Sequence, residues 1–427
     1  MYCQPPNITR RGSEGQPGVQ LFSDPGLGRR CGNRGRKGDR SFKLRVGERH
    51  RLRRGPETFP GARSWVPDTV IDLSIAEPLR YLNLARAESA NPLPGRDNRR
   101  SRINMSIREL LGVQHPLGNA GMAGVAGPEL CAAVAEAGGI GTLALGGTPA
   151  DEAVARVESV RELTENPFGV NFIGWILERD SSPLDAVLEA GVSSVTLSFA
   201  DPGPYIQRIH DAGAVVLQQV QTVEGAVSAV EAGVDALIAQ GTEAGGHTGQ
   251  IPLLPLLPQV VDAAGDIPVL AAGGIGDGRG LAAVLMLGAQ GALMGTRFIV
   301  ADEAVSRWPK LPDQVLAATA SDTAWTRAID VVDGGGTSLW PEPIGARLIR
   351  TPFLEKWLLH EDTLAAQLQV AVASPEERSG DDRDPTPAYA GPIAGMISSR
   401  ESAAAILAAT ISQATETLTG PRVALGD

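Results

Sequence analysis

No stretch of this chain stays apolar for the roughly 18 residues that a membrane-crossing helix requires, and its opening MYCQPPNITRRG lacks the apolar run of a secretory signal. A cytoplasmic protein without a membrane partner is the expectation. Cysteine is equally scarce. The three present, Cys3, Cys31 and Cys131, are too few for a disulfide framework and have no metal-ligand spacing, so no metal site is expected. What the 427 residues do carry is 43% apolar side chains, enough to bury one large core or two smaller ones.

The net charge of −11 conceals two different materials. Residues 1–104 hold 21 Lys and Arg against 10 Asp and Glu, a net of +11, which leaves 17 against 39 and a net of −22 from Met105 onward. The first part is rich in Arg, Gly and Pro, as in GRRCGNRGRKGDR, and has neither a helical nor a strand period. It reads as a largely disordered basic extension or the product of a misplaced start. Arg/Gly-rich segments also bind nucleic acid through phosphates and stacking, but that reading ranks lower and no nucleic-acid partner is expected.

From Met105 short β-rich runs alternate with Ala/Glu-rich helical stretches, the pattern of βαβ units around a parallel sheet. Seven strands are predicted, at 140–144, 168–173, 193–198, 214–219, 234–239, 267–271 and 290–294. Helices fall between them, among others at 128–137, 222–232 and 278–287. Three of the helices end in EAGG or EAGV, with Gly138, Gly191 and Gly233 just past the helix where a C′ glycine belongs. Repetition of one unit suggests closure, but alternation alone does not separate a barrel from a doubly wound open sheet; the glycine-rich loops late in the repeat decide for an α/β fold, a (β/α)8 TIM barrel, over 105–300. After that the alternation weakens. Residues 301–390 read as a small cap region, with a mobile Pro-rich loop at 373–387. Residues 391–427 read as a C-terminal helix returning to the barrel, N-capped by Ser398 or Ser399 with Glu401 near its first turn.

Barrels place their chemistry on the loops after the strands, often with a phosphate site late in the repeat. AAGGIGDGRG (271–280) follows a strand and opens a helix, so the N–H groups of Gly273 and Gly274 can approach a phosphate, and GALMGTRF one strand later adds Gly295 and Thr296. Each cluster alone reads as a tight turn; the pair on consecutive loops favours a bound phosphate. A third glycine-rich loop, QGTEAGGHTG (240–249), surrounds a lone His247. From spacing alone that histidine is either a reactive side chain or one hydrogen-bonded within its loop. His50, His115, His210 and His360 have no comparable setting. HPLGNAGMAGVAGPEL (115–130) reads as a glycine-rich turn around Met122 leading into a helix, while Asn171 and Gln219 are amides near strand ends, positions that can face a heterocycle.

With these residues in place, the chain resembles the nitronate monooxygenases, FMN enzymes on a TIM barrel. The likeness rests on GMAGVAGPELCAAVAEAGGIGTL, PFGVN, AGVDALIAQGTEAGGHTG and IPVLAAGGIGDGRGLAAVLMLGAQGALMGTRF, and covers about 107–300 well. The resemblance implies flavin contacts at Met122, Asn171, Gln219, Gln240, Ala244 and Gly245, phosphate contacts at Gly273, Gly274, Gly295 and Thr296, and an active-site role for His247. Two positions depart from it: Asn119 stands where many relatives have Gln, and Gln219 where some have Lys, which removes a cation near the ring. The implied reaction is oxidation of an alkyl nitronate by FMN and O2 to a carbonyl compound and nitrite, with Trp175 or Phe199 as candidate pocket walls and a homodimer as the assembly to expect. The rivals are an NAD(P)H-dependent FMN reductase of quinones or enoyl thioesters and, further back, a flavin-binding module without turnover.

Overall fold

The computed structural model describes residues 105–374 and 377–420; the basic extension of 1–104, with Cys3, Cys31 and His50, lies outside the described residues. The barrel strands are β1 (Leu117–Asn119), β2 (Gly141–Gly146), β3 (Phe168–Ile173), β4 (Ser194–Ser198), β5 (Val215–Val220) and β6 (Ala236–Gln240), followed after β7 (Gly246–Thr248) by β8 (Val269–Ala272) and β9 (Gly291–Met294). Eight of them run parallel in the order β1, β9, β8, β6, β5, β4, β3, β2. A parallel bridge between Gly118 and Ile140 sets β1 beside the start of β2, so the sheet closes into the (β/α)8 barrel.

The closure follows from the period of two in each strand. Val215 and Leu217 of β5, Ala236 and Ile238 of β6, and Leu270 and Ala272 of β8 pack inside the barrel with Leu293. The residues between them, Val216, Leu237, Ala239 and Ala271, face outward onto the helices. A one-turn helix, Ile107–Leu111, plugs the bottom with Ile107, Leu110 and Leu111, its start fixed by a capping box between Ser106 and Glu109. The outer ring is α1 (Pro128–Glu136), α2 (Ala150–Leu163), α3 (Ser182–Glu189), α4 (Gly203–Asp211), α5 (Val223–Ala232), α6 (Leu253–Ala264) and α7 (Gly278–Met286). Gly138, Gly191 and Gly233 past α1, α3 and α5 are left-handed, at φ 76°, 79° and 101°.

Two strands differ from the sequence expectation. β1 is only three residues long, in a Pro/Gly/Asn context without β-branched side chains, and so reads as a turn. Its seam with β2 is held by a side chain. Asn119, fully buried, donates from Nδ2 to the Thr142 carbonyl (2.7 Å) and accepts the Thr142 N–H at Oδ1 (3.0 Å). His247, expected on a loop, lies on β7, which leaves the barrel and pairs antiparallel with β11 (Gly345–Ile349), with Ala346 opposite His247. β11 in turn pairs with β10 (Thr323–Thr326), giving a three-stranded cap sheet that carries the short helix α8 (Ala328–Asp333).

After β9 the barrel has only a one-turn helix, Thr296–Ile299. α9 (Ala403–Thr419) packs against the wall there: Gly278 at the start of α7 donates its N–H to Gln413 (2.7 Å) and sits so close that a Cβ would come within 2.4 Å of Ala414 N and Thr410 O. The N-cap of α9 is Ser402, not Ser398 or Ser399. Ser399 is spent on the Glu401 carboxylate (2.8 Å), and Glu401 forms a bridge with Ala301 that keeps the chain extended until 402. Of the 373–387 segment, residues 377–387 follow an irregular path around Asp384, which accepts from Gly380 N (2.8 Å) and from Thr386 N (3.0 Å) and Oγ1 (2.6 Å).

Candidate active site

At the C-terminal ends of the strands the inward rows turn from apolar to polar. On β5 the row Val215, Leu217 ends in Gln219; on β6 the row Ala236, Ile238 ends in Gln240. Asn171 of β3 donates to Ser198 Oγ of β4 (3.0 Å). These side chains open into a cavity of about 520 Å³ roofed by the cap. All eleven residues singled out in the sequence line it: His247, Met122, Asn171, Gln219, Gln240, Ala244, Gly245, Gly273, Gly274, Gly295 and Thr296. Trp175 and Phe199 do so as well.

One end of the cavity is a backbone cradle. Gly273 and Gly274 have φ 96° and 71°, and a Cβ on Gly273 would stand 2.9 Å from both Ala244 N and Gly241 O. No acceptor among the described residues takes their N–H groups. Thr296 Oγ1 accepts from Gly391 N (2.9 Å), which leaves the hydroxyl hydrogen to donate elsewhere. Free amide donors on adjacent loops, next to amides and apolar strand ends, suit a planar heterocycle with a phosphate tail, and a flavin of the kind that the family resemblance implies, FMN, would fit this donor set.

The other end is built around His247. Its Nε2 lies 2.7 Å from Asp330 Oδ1 on α8, and Trp340 stacks on the ring at a centroid distance of 3.5 Å and an interplanar angle of 13°. Trp340 also meets Trp175 and Phe199 edge-on, at 5.4 and 5.1 Å. Phe199 holds a left-handed backbone, φ 61°, rare for an aromatic residue and frequent where function sets the geometry. Gln240 has both ends of its amide engaged, accepting from Gln221 (2.9 Å) and donating to the His247 carbonyl (3.1 Å), so it fixes β7 as well as facing the cavity.

Asp333 and Tyr389 complete this wall. Burial, reinforced by the neighbouring Asp330, holds the Asp333 carboxyl above the usual carboxylate range, against the opposing pull of His247, Arg378 and Arg307. Burial and the same two carboxylates push the Tyr389 phenol up. Asp330, Asp333, Trp340 and Tyr389 all lie in the cap, where no strand period drew notice. The usable signal was Asp330 and Asp333 three residues apart in DVVD, which sets both on one helix face.

The remaining reactive side chains lie elsewhere. His210 pairs with Asp235 (2.9 Å) ahead of β6, at the opposite end of the barrel. Cys131 is buried in the shell between strands and helices, and burial pushes its thiol up. Among the described residues no His, Cys, Asp and Glu cluster could hold a metal, and no helix is long and apolar enough to cross a membrane.

The nitronate monooxygenase family model matches residues 104–180 and 176–332. The chain belongs to the nitronate monooxygenase family. It is 34% identical over 248 residues to a probable nitronate monooxygenase of Staphylococcus saprophyticus, covering 47% of this chain and 70% of that one. It is 40% identical over 238 residues to the (3aS,4S,5R,7aS)-5-hydroxy-7a-methyl-1-oxo-octahydro-1H-indene-4-carboxyl-CoA dehydrogenase of Rhodococcus jostii, covering 54% of this chain and 64% of that relative, less than two thirds of its length. Among solved structures, FabK from Thermotoga maritima superposes with a TM-score of 0.63 at 31% identity, over 73% of this chain and 96% of that one. Nitroalkane oxidase from Streptomyces ansochromogenes does so with a TM-score of 0.58 at 31% identity, over 72% and 98%. The nitronate monooxygenase, carboxyl-CoA dehydrogenase and nitroalkane oxidase that it resembles are all oxidoreductases by name.

Proposed function

We propose that the chain is an FMN-dependent nitronate monooxygenase, oxidising alkyl nitronates and nitroalkanes with O2 to a carbonyl compound and nitrite. The observation that carries the reading is a single cavity with free amide donors at one end and His247 at the other. Backbone N–H groups of Gly273, Gly274, Gly295 and Thr296 would hold the phosphate, and Met122, Asn171, Gln219, Gln240, Ala244 and Gly245 would border the ring. The bound flavin supplies the electron acceptor and the route to O2. The neutral His247 ring takes the α-proton of a nitroalkane as general base, and the protonated ring can donate a hydrogen bond to the nitronate oxygens. Trp175, Phe199 and Trp340 wall the substrate and exclude water from the proton being moved.

A second reading, redox chemistry on a coenzyme A thioester, draws support from the 40% identity to a carboxyl-CoA dehydrogenase. Anaerobic mixing of the holoprotein with propionate 3-nitronate, NADH, NADPH or an acyl-CoA, watched at the flavin band, separates the two. Bleaching by the nitronate and not by the nicotinamides is the expected outcome. Bleaching by a nicotinamide or by the thioester, with none by the nitronate, would reject nitronate oxidation.

A further inference from the structure

We propose that Asp330 is the positioning residue of His247: it holds the imidazole by its Nε2–H and so assigns Nδ1 as the atom that takes the substrate's proton. The inference rests on the general-base reading of His247 and adds the group that sets its tautomer and orientation.

The carboxylate is a costly one to keep. Asp330 is 1% exposed, its Oδ1 faces His247 Nε2 at 2.7 Å, and its Oδ2 is buried without a hydrogen-bond partner. The ion pairs of the described residues give it no arginine or lysine partner. A buried carboxylate held this way destabilises the fold relative to an apolar residue of the same volume, so packing is a poor account of its presence. What it does supply is orientation. The ring is fixed at its edge by Asp330 and on its face by Trp340, while its backbone is fixed by Ala346 across the cap sheet and by the Gln240 amide. With Nε2 engaged, Nδ1 is the ring nitrogen left for the cavity.

The proton step then balances locally. The α-C–H bond of a neutral nitroalkane breaks and its electron pair remains on the substrate as the nitronate. The proton forms N–H at Nδ1, and the Asp330 carboxylate counter-charges the resulting imidazolium. Stacking on Trp340 favours the same cation. The imidazolium afterwards returns its proton to water. The cap thereby contributes to proton transfer although the barrel would bind the flavin.

The test has one arm that needs no turnover. In the holoprotein the His247 Nε2–H, hydrogen-bonded to a buried carboxylate, is expected as a downfield proton resonance protected from exchange. With only five histidines in the chain, His247→Asn assigns it by its loss. Asp330→Asn should abolish that resonance; its survival unshifted would overturn the inference. In the kinetic arm, Asp330→Asn should lower kcat for a nitroalkane on the order of 10²–10⁴-fold. KM and flavin content should hold, and oxidation of pre-formed nitronate, which needs no proton transfer, should fall less than about tenfold. Combining it with His247→Asn should add no further loss, because the effect acts through the imidazole. Equal losses on both substrates, or a full further loss in the double variant, would assign Asp330 to structure. Asp330→Ser serves if Asp330→Asn does not fold. If the wild type oxidises neither substrate, the proposed reaction falls while the resonance still decides the role of Asp330.

Discussion

Two side chains in the cavity wall make opposite demands on the fold. His247 is held by Asp330, Trp340 and the cap sheet, yet neither the barrel nor the glycine cradle is built on its ring. Replacing it with Asn should therefore leave the chain folded and able to bind flavin. It should lower nitroalkane turnover by roughly 10²–10⁴-fold, the usual worth of a general base. Oxidation of the pre-formed nitronate should fall by no more than about 1.5–3 kcal/mol, the value of one hydrogen bond to an anion. Steady-state kinetics on both substrates checks this, and equal small losses would leave His247 a structural residue. Asp333 is the converse case. Burial and then Asp330 raise its carboxyl, so the folded state holds that proton more tightly than the unfolded chain does. Its contribution to stability is full below the ordinary carboxylate range and is lost as pH rises through the raised value. Asp333→Asn should accordingly raise the melting temperature at pH 7 to 8, with the gain disappearing near pH 4. A gain independent of pH would mean that ionisation is not the cause.

At the level of elements, the seam between β1 and β2 is the least regular part of the barrel. A single bridge joins backbone to backbone there, and the Asn119 amide supplies the two hydrogen bonds to Thr142. Asn119→Leu, close in volume, would leave the buried Thr142 N–H and carbonyl unsatisfied and should destabilise the protein on the order of 1–3 kcal/mol. Urea unfolding of the variant measures it; an unchanged midpoint would show that the seam does not depend on this side chain. The same seam explains where sequence reading stopped. β5, β6 and β8 announce themselves through alternating β-branched and apolar residues, whereas β1 is a strand only because β9 pairs with it through Leu117, Gly118 and Asn119. β7 likewise owes its conformation to β11, a partner almost a hundred residues away in the chain. Asn119 could be noticed as a departure from its relatives, but what its amide holds is visible only with Thr142 beside it.

For the whole molecule, the barrel strands, the cavity residues and α9 lie, among the described residues, between Met105 and Thr419. A chain beginning at Met105 should therefore be soluble, yellow and as active as the full length, which flavin content and turnover will show. Loss of flavin on shortening would mean that the basic segment takes part in the site. The sequence by itself determined the βα units, because helix C′ glycines and strand periodicity are local properties that each unit carries alone, and the glycine-rich loops late in the repeat pointed to a barrel over an open sheet. It also determined that the loop glycines and His247 meet at one cavity, because glycine-rich loops and a lone histidine directly after strands are positions the barrel architecture turns toward one mouth. Only the tertiary structure decided that a cap sheet takes up β7, that Asp330 and Trp340 close on the imidazole, and that Asp333 and Tyr389 share its wall. Those contacts join segments some 80 to 140 residues apart, and no local period or spacing encodes a meeting that depends on how the cap folds back over the barrel.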